Sequence, residues 1–334
     1  MAALFEVDQV GKRDSLADLV SCVEAEACPF SSMMQKRSKP SQRLHHWQAK
    51  NYPRPDHVGV VDGKDAENFS HNPREELYAR SQKLWQLPAV SDFAEESEVA
   101  GVPRGEMAEQ VADSLVGLKR GIEMRVSSND ESQADNGNDK GGETRGIFCW
   151  VQNGAQTDLP VPVSFRTPSA SIHTGTNAAL TETVFKELMR SAYKQRKGAS
   201  KLDGFCGVDL KGVITEWSGY QDNVTSKTAV RTLSQDADKK MLLSVVDRLV
   251  LDTGTVDLHL TSFNYTDPAT GADSAYTHKS GIFVDMSMVA LAFTRKPRVV
   301  KLEYKGGGYK AIVDAIVMLM MDNPLGHVAV KSNT

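Results

Sequence analysis

The first hundred residues constrain this chain most, because they carry too little apolar periodicity to close a core by themselves. From Pro29 to Pro55 there are six basic residues (Lys36, Arg37, Lys39, Arg43, Lys50 and Arg54) and no acid, with Trp47 and Tyr52 inside the run. That pattern predicts an extended basic arm with aromatic anchors. A short helix over Asp14–Val23, with Leu16, Leu19, Val20 and Val23 on one face, is expected before it. Residues 56–98 are polar, with turn signals at Asp62-Gly63-Lys64 and Asn72-Pro73, and predict a long two-stranded ribbon. Its second flank, Leu77 to Phe93, offers Leu77, Trp85, Leu87 and Val90, too few for a core strand. A two-stranded ribbon is marginal alone, so it must lie on something, and the sequence suggests no spare surface within the chain. From Asp62 to Asp113 twelve acids face five bases. Opposite charge on two segments that cannot fold alone predicts that arm and ribbon meet across neighbouring copies. Candidate contacts are Lys36, Arg37, Lys39, Arg43, Trp47 and Lys50 of the arm, with Lys64 and Trp85 of the ribbon. Changing Arg43 and Lys50 together to glutamate is expected to block assembly while the subunit stays folded; normal particles in electron micrographs of that variant would refute the idea.

The rest of the chain can bury a core: 40% of the 334 residues are hydrophobic. Met107, Val111, Leu115, Leu118 and Ile122 recur at helical spacing and predict a long helix over 104–129. Pro103 precedes it, acids lie early and bases late, as the helix dipole favours. Ser127–Arg145, rich in Asn, Asp, Gly and Ser, predicts a mobile loop. Gly146–Val151 predicts a short strand, and Asp158–Pro168 an extended Pro-rich segment. A second helix is expected from Thr181, a plausible N-cap, to Lys197, with Val184, Phe185, Leu188, Met189, Ala192 and Tyr193 on one face. Gly204–Gly212 reads as turns around a short strand. Beyond Leu242 the pattern turns to strands. Leu249 and Leu251 lead into a turn at Asp252-Thr253-Gly254, then Val256, Leu258 and Leu260 alternate with polar residues. Further strands are expected at 282–284, 289–293, 299–304 and 309–321, the last two joined through Gly306-Gly307-Gly308. The class is α+β, with antiparallel strands and no βαβ alternation.

Few chemistries survive inspection. Net charge is −4, which argues against a generally basic polyanion binder. Four scattered cysteines (Cys22, Cys28, Cys149 and Cys206) read as reduced thiols. A zinc site from Cys22 and Cys28 with His45 and His46 would need the chain to fold back. Ser191-Ala192-Tyr193-Lys194 fits a serine–lysine nucleophile pattern, but its companion elements are absent. No nucleotide-binding glycine loop or metalloprotease motif occurs, so no cofactor, metal or catalytic residue is expected. The basic run 36–54 with its aromatics also suits a nucleic-acid binder, the rival reading. The N-terminus lacks a signal-peptide apolar region, and the longest apolar run, Ala311–Met321, is broken by Asp314 and too short to span a bilayer. A soluble protein made inside a cell, with no membrane partner, is expected.

The order of parts resembles the tailed-bacteriophage major capsid proteins of the Johnson fold, shared with herpesvirus shells. The residues that carry it are Gly11-Lys12-Arg13-Asp14-Ser15-Leu16-Ala17-Asp18, Pro29-Phe30 and Leu44-His45-His46-Trp47-Gln48. A Tyr-centred helix at Leu180–Tyr193, a hairpin through Asp252–Val256 and an ending from Asp322-Asn323 to Gly326-His327 extend it to residues 5–330. The chain departs from the family at Val23–Cys28, where a different spacer is usual, and in the insert 127–145. The resemblance implies an N-terminal arm (1–45), an extended ribbon loop (46–98), a peripheral domain (99–175) with its spine helix at 104–129, an axial domain (176–294) and return strands (295–334). It implies a structural subunit that self-assembles as pentamers and hexamers into an icosahedral head around double-stranded DNA. The partners implied are a separate scaffolding protein, a portal and a decoration protein, with assembly in the host cytoplasm and residence in the virion. Lys64 reads as a solvated turn charge; the alternative the family raises is an isopeptide crosslink.

Overall fold

Alternation and helical stripes sort the chain into two sheets and two long helices. The computed structural model describes residues 28–37, 40–52, 59–65, 69, 71, 73–97, 105–196, 200–217, 246–265 and 276–331. The expected helix at 14–23, Cys22 and Lys39 lie outside these. In chain order the elements are α1 (Pro29–Met33), β1 (Gln35–Arg37), β2 (Leu44–Ala49), β3 (Glu75–Arg80), β4 (Gln82–Gln86), β5 (Ala89–Val90), α2 (Asp92–Glu96), α3 (Glu106–Val126) and α4 (Ile147–Trp150). There follow β6 (Ile172–His173), α5 (Glu182–Arg196), β7 (Ser200–Cys206), α6 (Val208–Glu216), β8 (Arg248–Leu251) and β9 (Gly254–Leu260). The chain ends with β10 (Gly281–Val284), β11 (Val289–Lys301), β12 (Tyr309–Met321) and β13 (Val328–Val330).

One sheet runs β1-β11-β12-β4, with β5 also on β12; the other runs β6-β13-β10-β7-β9-β8; β2 and β3 pair alone. The class is mixed helix and sheet, as expected, but β7 and β9 are parallel and joined through α6 and β8. β1 with β11 and β6 with β13 are parallel pairs too, so the strands are not all antiparallel, and the β7–β9 crossover was not read. It escaped notice because α6, with Leu210 and Ile214 buried, was taken for turns between glycines.

The spine helix α3 is 21 residues long, within one turn or so of its expected bounds. Its apolar stripe is buried only in the C-terminal half, at Leu118, Ile122 and Val126; Leu115 is exposed. At its start the Glu95 carboxylate accepts from the Met107 N–H at 2.8 Å, satisfying one of the donors a helix N-terminus leaves open. Helix α5 matches its sequence signal closely: the Thr181 hydroxyl accepts from the Val184 N–H at 3.3 Å, and Phe185, Leu188, Met189 and Ala192 are buried. Tyr193 stays exposed.

Two hydrophobic clusters share the β7–β10 layer. Phe205, Ile282 and Val284 face one cluster, which includes α3, α4, β11 and β12; Cys206 and Phe283 face the other, under α5 and α6. Strand alternation explains the division.

Three sequence expectations fail in the middle of the chain. Gly146–Val151 is not a strand but a single buried helical turn, α4, with Trp150 under the Arg145 guanidinium at 4.7 Å. The insert 127–145 is not a free loop at its ends. Arg125, buried, donates from Nε to the Thr144 carbonyl (2.7 Å) and from Nη2 to the Glu131 carbonyl (2.9 Å). Arg145, also buried, donates to the Leu159 carbonyl at 2.7 Å and holds Leu159 at φ +46°. Finally, 289–301 is one strand, not two, with register shifts around Arg295 and Arg298 where both reach the buried Asp314 (2.6 and 2.9 Å).

Candidate functional site

Subunit surfaces, not a catalytic cleft, are where the sequence located function, and the structure sorts them into anchored and uncovered parts. At the arm's exit Pro29 opens α1, and Phe30 is fully buried with its ring edge-on to Phe205 at 4.8 Å. Glu123, buried on α3, accepts from the backbone N–H of Phe30 (2.9 Å) and Ser31 (2.7 Å). Burial pushes its carboxyl above the usual range, against the pull of those donors. Sequence reasoning noticed Pro29-Phe30 but not Glu123, whose place in an acid-and-base helix gave no sign of burial.

The basic run is split by the fold. Lys36 and Arg37 lie in β1, parallel to β11; Lys36 is exposed, while Arg37 forms a two-pronged pair with Asp322. Arg43 donates to Asp135 at 2.7 Å from an exposed position. These two candidate cations thus have acids of their own chain within reach. Lys50 and Lys64 are exposed.

The ribbon, β2 against β3 in antiparallel register Leu44↔Arg80 to Ala49↔Glu75, also finds footing at home. Leu77 and Ala79 are buried in the main cluster, Trp47 leans on Trp150 at 6.0 Å between ring centres, and Arg80 grips Asp158 with both prongs (2.8 and 3.0 Å). The sequence expected no such surface, because Pro160–Phe165 and α4, which supply it, are too short to register as apolar faces. Trp85, on β4, is more than half exposed, with the Lys83 ammonium 4.5 Å from its ring centre.

Beyond its base the ribbon changes character. Tyr52 and Phe69 are each 87% exposed, and Val60 and Val61 are exposed as well. Another uncovered group sits at the far end of the β11–β12 hairpin: Leu302, Tyr304 and Tyr309, with Phe93 nearby on α2. The Tyr304 hydroxyl donates to Asp92 at 2.6 Å, which ties hairpin to helix. Single exposed apolar residues are ordinary, but grouped ones mark contact surfaces.

The chemical candidates gather nothing around them. Ser191 shares a 2.8 Å hydroxyl–hydroxyl bond with Ser171, and Lys194 is exposed. Among the described residues no three His, Cys, Asp or Glu converge as metal ligands, and no helix is long and apolar enough to cross a membrane. Burial pushes the thiols of Cys28 and Cys149 up to about 11 and that of Cys206 up to about 12, away from the reactive thiolate.

Residues 5–334 match a family model described as SU10 major capsid protein. No curated protein matches the chain. Among solved structures, it is similar to the capsid of cyanophage P-SCSP1u, with TM-score 0.61 and 10% identity over 96% of this chain and 93% of that one. A chain of Mycobacterium phage Bobi gives 0.60 at 8% identity over 100% of each. The capsid of a native GTA particle gives 0.58 at 10% identity over 97% and 96%. At such identities the likeness is one of fold.

Proposed function

The chain belongs to the SU10 major capsid protein family, and from that premise we propose that it closes an icosahedral phage head as pentamers and hexamers around double-stranded DNA. It is a structural component of the virion, a capsid protein that assembles with itself. The observation that carries the proposal is the ribbon, rooted on its own core by Leu77, Ala79 and Trp47 while its far end exposes Tyr52, Val60, Val61 and Phe69. A segment rooted at its base and uncovered beyond it offers apolar surface to another molecule. Many such contacts act together, so each can be weak.

In this reading the arm (1–45) and ribbon (46–98) reach neighbours, 99–175 and 295–334 form the peripheral body, and 176–294 the axial body. Of the candidate contacts, Lys36, Lys50 and Lys64 pair with no acid among the described residues, and Trp85 is exposed. A separate scaffolding protein, a portal and a decoration protein complete the assembly in the host cytoplasm. The rival, nucleic-acid binding by the 36–54 run, loses ground because Arg37 and Arg43 already hold carboxylates.

Electron microscopy of the expressed chain, with and without co-expressed phage head proteins, tests the proposal. Val61→Asp combined with Phe69→Asp is expected to abolish closed particles. Unfolding free energy should change by no more than about 0.5 kcal/mol per site, as for other surface substitutions. Closed particles of normal size from that variant would sink the reading.

A further inference from the structure

A second concentration of positive charge, besides the arm, lies in the β11–β12 hairpin. Between Val289 and Met321 stand six cations and two acids, in a chain whose net charge is −4. One acid, Asp314, is buried and held by Arg295 and Arg298. The other, Glu303, is exposed among Lys296, Lys301, Lys305 and Lys310, all of them exposed too. None of these four lysines has a carboxylate of the described residues within ion-pairing distance. The nearby carboxylate of Asp92 is engaged by the Tyr304 hydroxyl.

The geometry suits an extended anion. The face of β12 turned to α3 carries the buried Val313, Ala315 and Val317. The other face sets Arg298 and Trp85 on either side of Asp314, and Lys83 beside Ile316. Lys310 shares that face with Arg298 and Trp85, while Lys301, opposite Ala311, stands on the other, and at the hairpin end the rings of Tyr304 and Tyr309 lie 5.7 Å apart. Exposed cations that no acid of the described residues pairs with are the electrostatic footprint of a nucleic-acid surface.

We propose that the outer half of this hairpin contacts the phosphate backbone of double-stranded DNA, with Lys296, Lys301, Lys305 and Lys310 as the phosphate-binding groups. The contact reads no sequence, since lysines that meet phosphates position a duplex without reading its bases. From the proposed function this takes only that duplex DNA is what the shell encloses.

The test is fluorescence anisotropy of a labelled DNA duplex with the full chain, across salt concentrations. The parent is expected to bind at about 50 mM salt and to weaken steeply toward about 200 mM. Joint change of Lys301, Lys305 and Lys310 to glutamate should cost about tenfold or more at low salt and lower the salt slope by about three. The same three positions changed to arginine should keep both. Lys305→Glu alone, in an exposed turn that no strand depends on, should lower the slope by about one, and so guards against misfolding of the triple variant. A parent that ignores DNA at low salt, or a glutamate variant that binds like the parent, overturns the proposal. Loss of particles with DNA binding unchanged would make the hairpin a contact between copies and overturn it equally. The shell reading stands or falls separately, on micrographs.

Discussion

Replacing Phe30 with alanine is expected to lower the unfolding free energy of the subunit by about 3–5 kcal/mol. The side chain is fully buried, and its ring meets Phe205 of the sheet shared by both clusters. Truncation removes the transfer energy of the ring and leaves a void that the packed β7–β10 layer cannot easily refill. The consequence is also positional. Phe30 and the Glu123 carboxylate together fix the point where the arm leaves the body, since both N–H groups that Glu123 accepts from belong to α1. Glu123→Ala should therefore cost a similar amount by another route, leaving two buried donors unpaired at about 1–3 kcal/mol each. Because both changes loosen one anchor, the double variant should lose less than the sum. Equilibrium unfolding in urea of the two single variants and the double one measures all three quantities. A Phe30→Ala loss under about 1 kcal/mol would mean the ring is not a tether.

How far the fold could be read in advance depended on whether a segment's neighbours were local. Helix α5 was legible because everything that defines it lies inside it: the Thr181 cap, the apolar face and the basic last turn. The hairpin through Gly306-Gly307-Gly308 was legible for a similar reason. All three take positive φ, and a Cβ on Gly308 would fall 2.1 Å from the Val90 carbonyl oxygen. Segments defined by distant partners were misread. Ile147-Phe148-Cys149-Trp150 has strand-like composition, yet its Gly146 edge abuts Ser128, and the short span closes as a helical turn. Leu77 looked too isolated for a core because its neighbours come from α3, α4 and β12. The uncovered groups were less legible: Val60, Val61 and Phe69 stand exposed on the ribbon, where the polar surroundings predicted only turns. The hairpin's charge was in plain view as residues but was read only as strand, since β periodicity explained the apolar positions and left the lysines unremarked.

Acid should destabilise the subunit through His327, by about 3 kcal/mol between pH 7 and pH 4. The imidazole is buried between the terminal segment and the start of β11. Its Nδ1 accepts from the Asp285 N–H at 3.3 Å and its Nε2–H donates to the Asn323 carbonyl at 3.0 Å, a pattern only the neutral ring can complete. Burial, with the Arg196 cation beside it, pushes its pKa from 6.5 down to about 4, against the pull of the Asn323 carbonyl and the Asp285 carboxylate. The unfolded chain binds the proton first as pH falls. This group's contribution is thus fully present above about pH 6.5 and is lost progressively toward pH 4. Arg196 and Asp285, paired beside the ring, hold α5 to the turn before β11, so protonation strains the seam between the two clusters. His327→Gln removes the titration while keeping an amide near both partners. Melting temperatures measured from pH 7.5 to pH 4.5 should fall more steeply in the parent than in this variant, even if the variant starts lower. Parallel profiles would show that the folded ring takes up its proton over the same range as the unfolded chain, and overturn the idea that burial keeps it neutral.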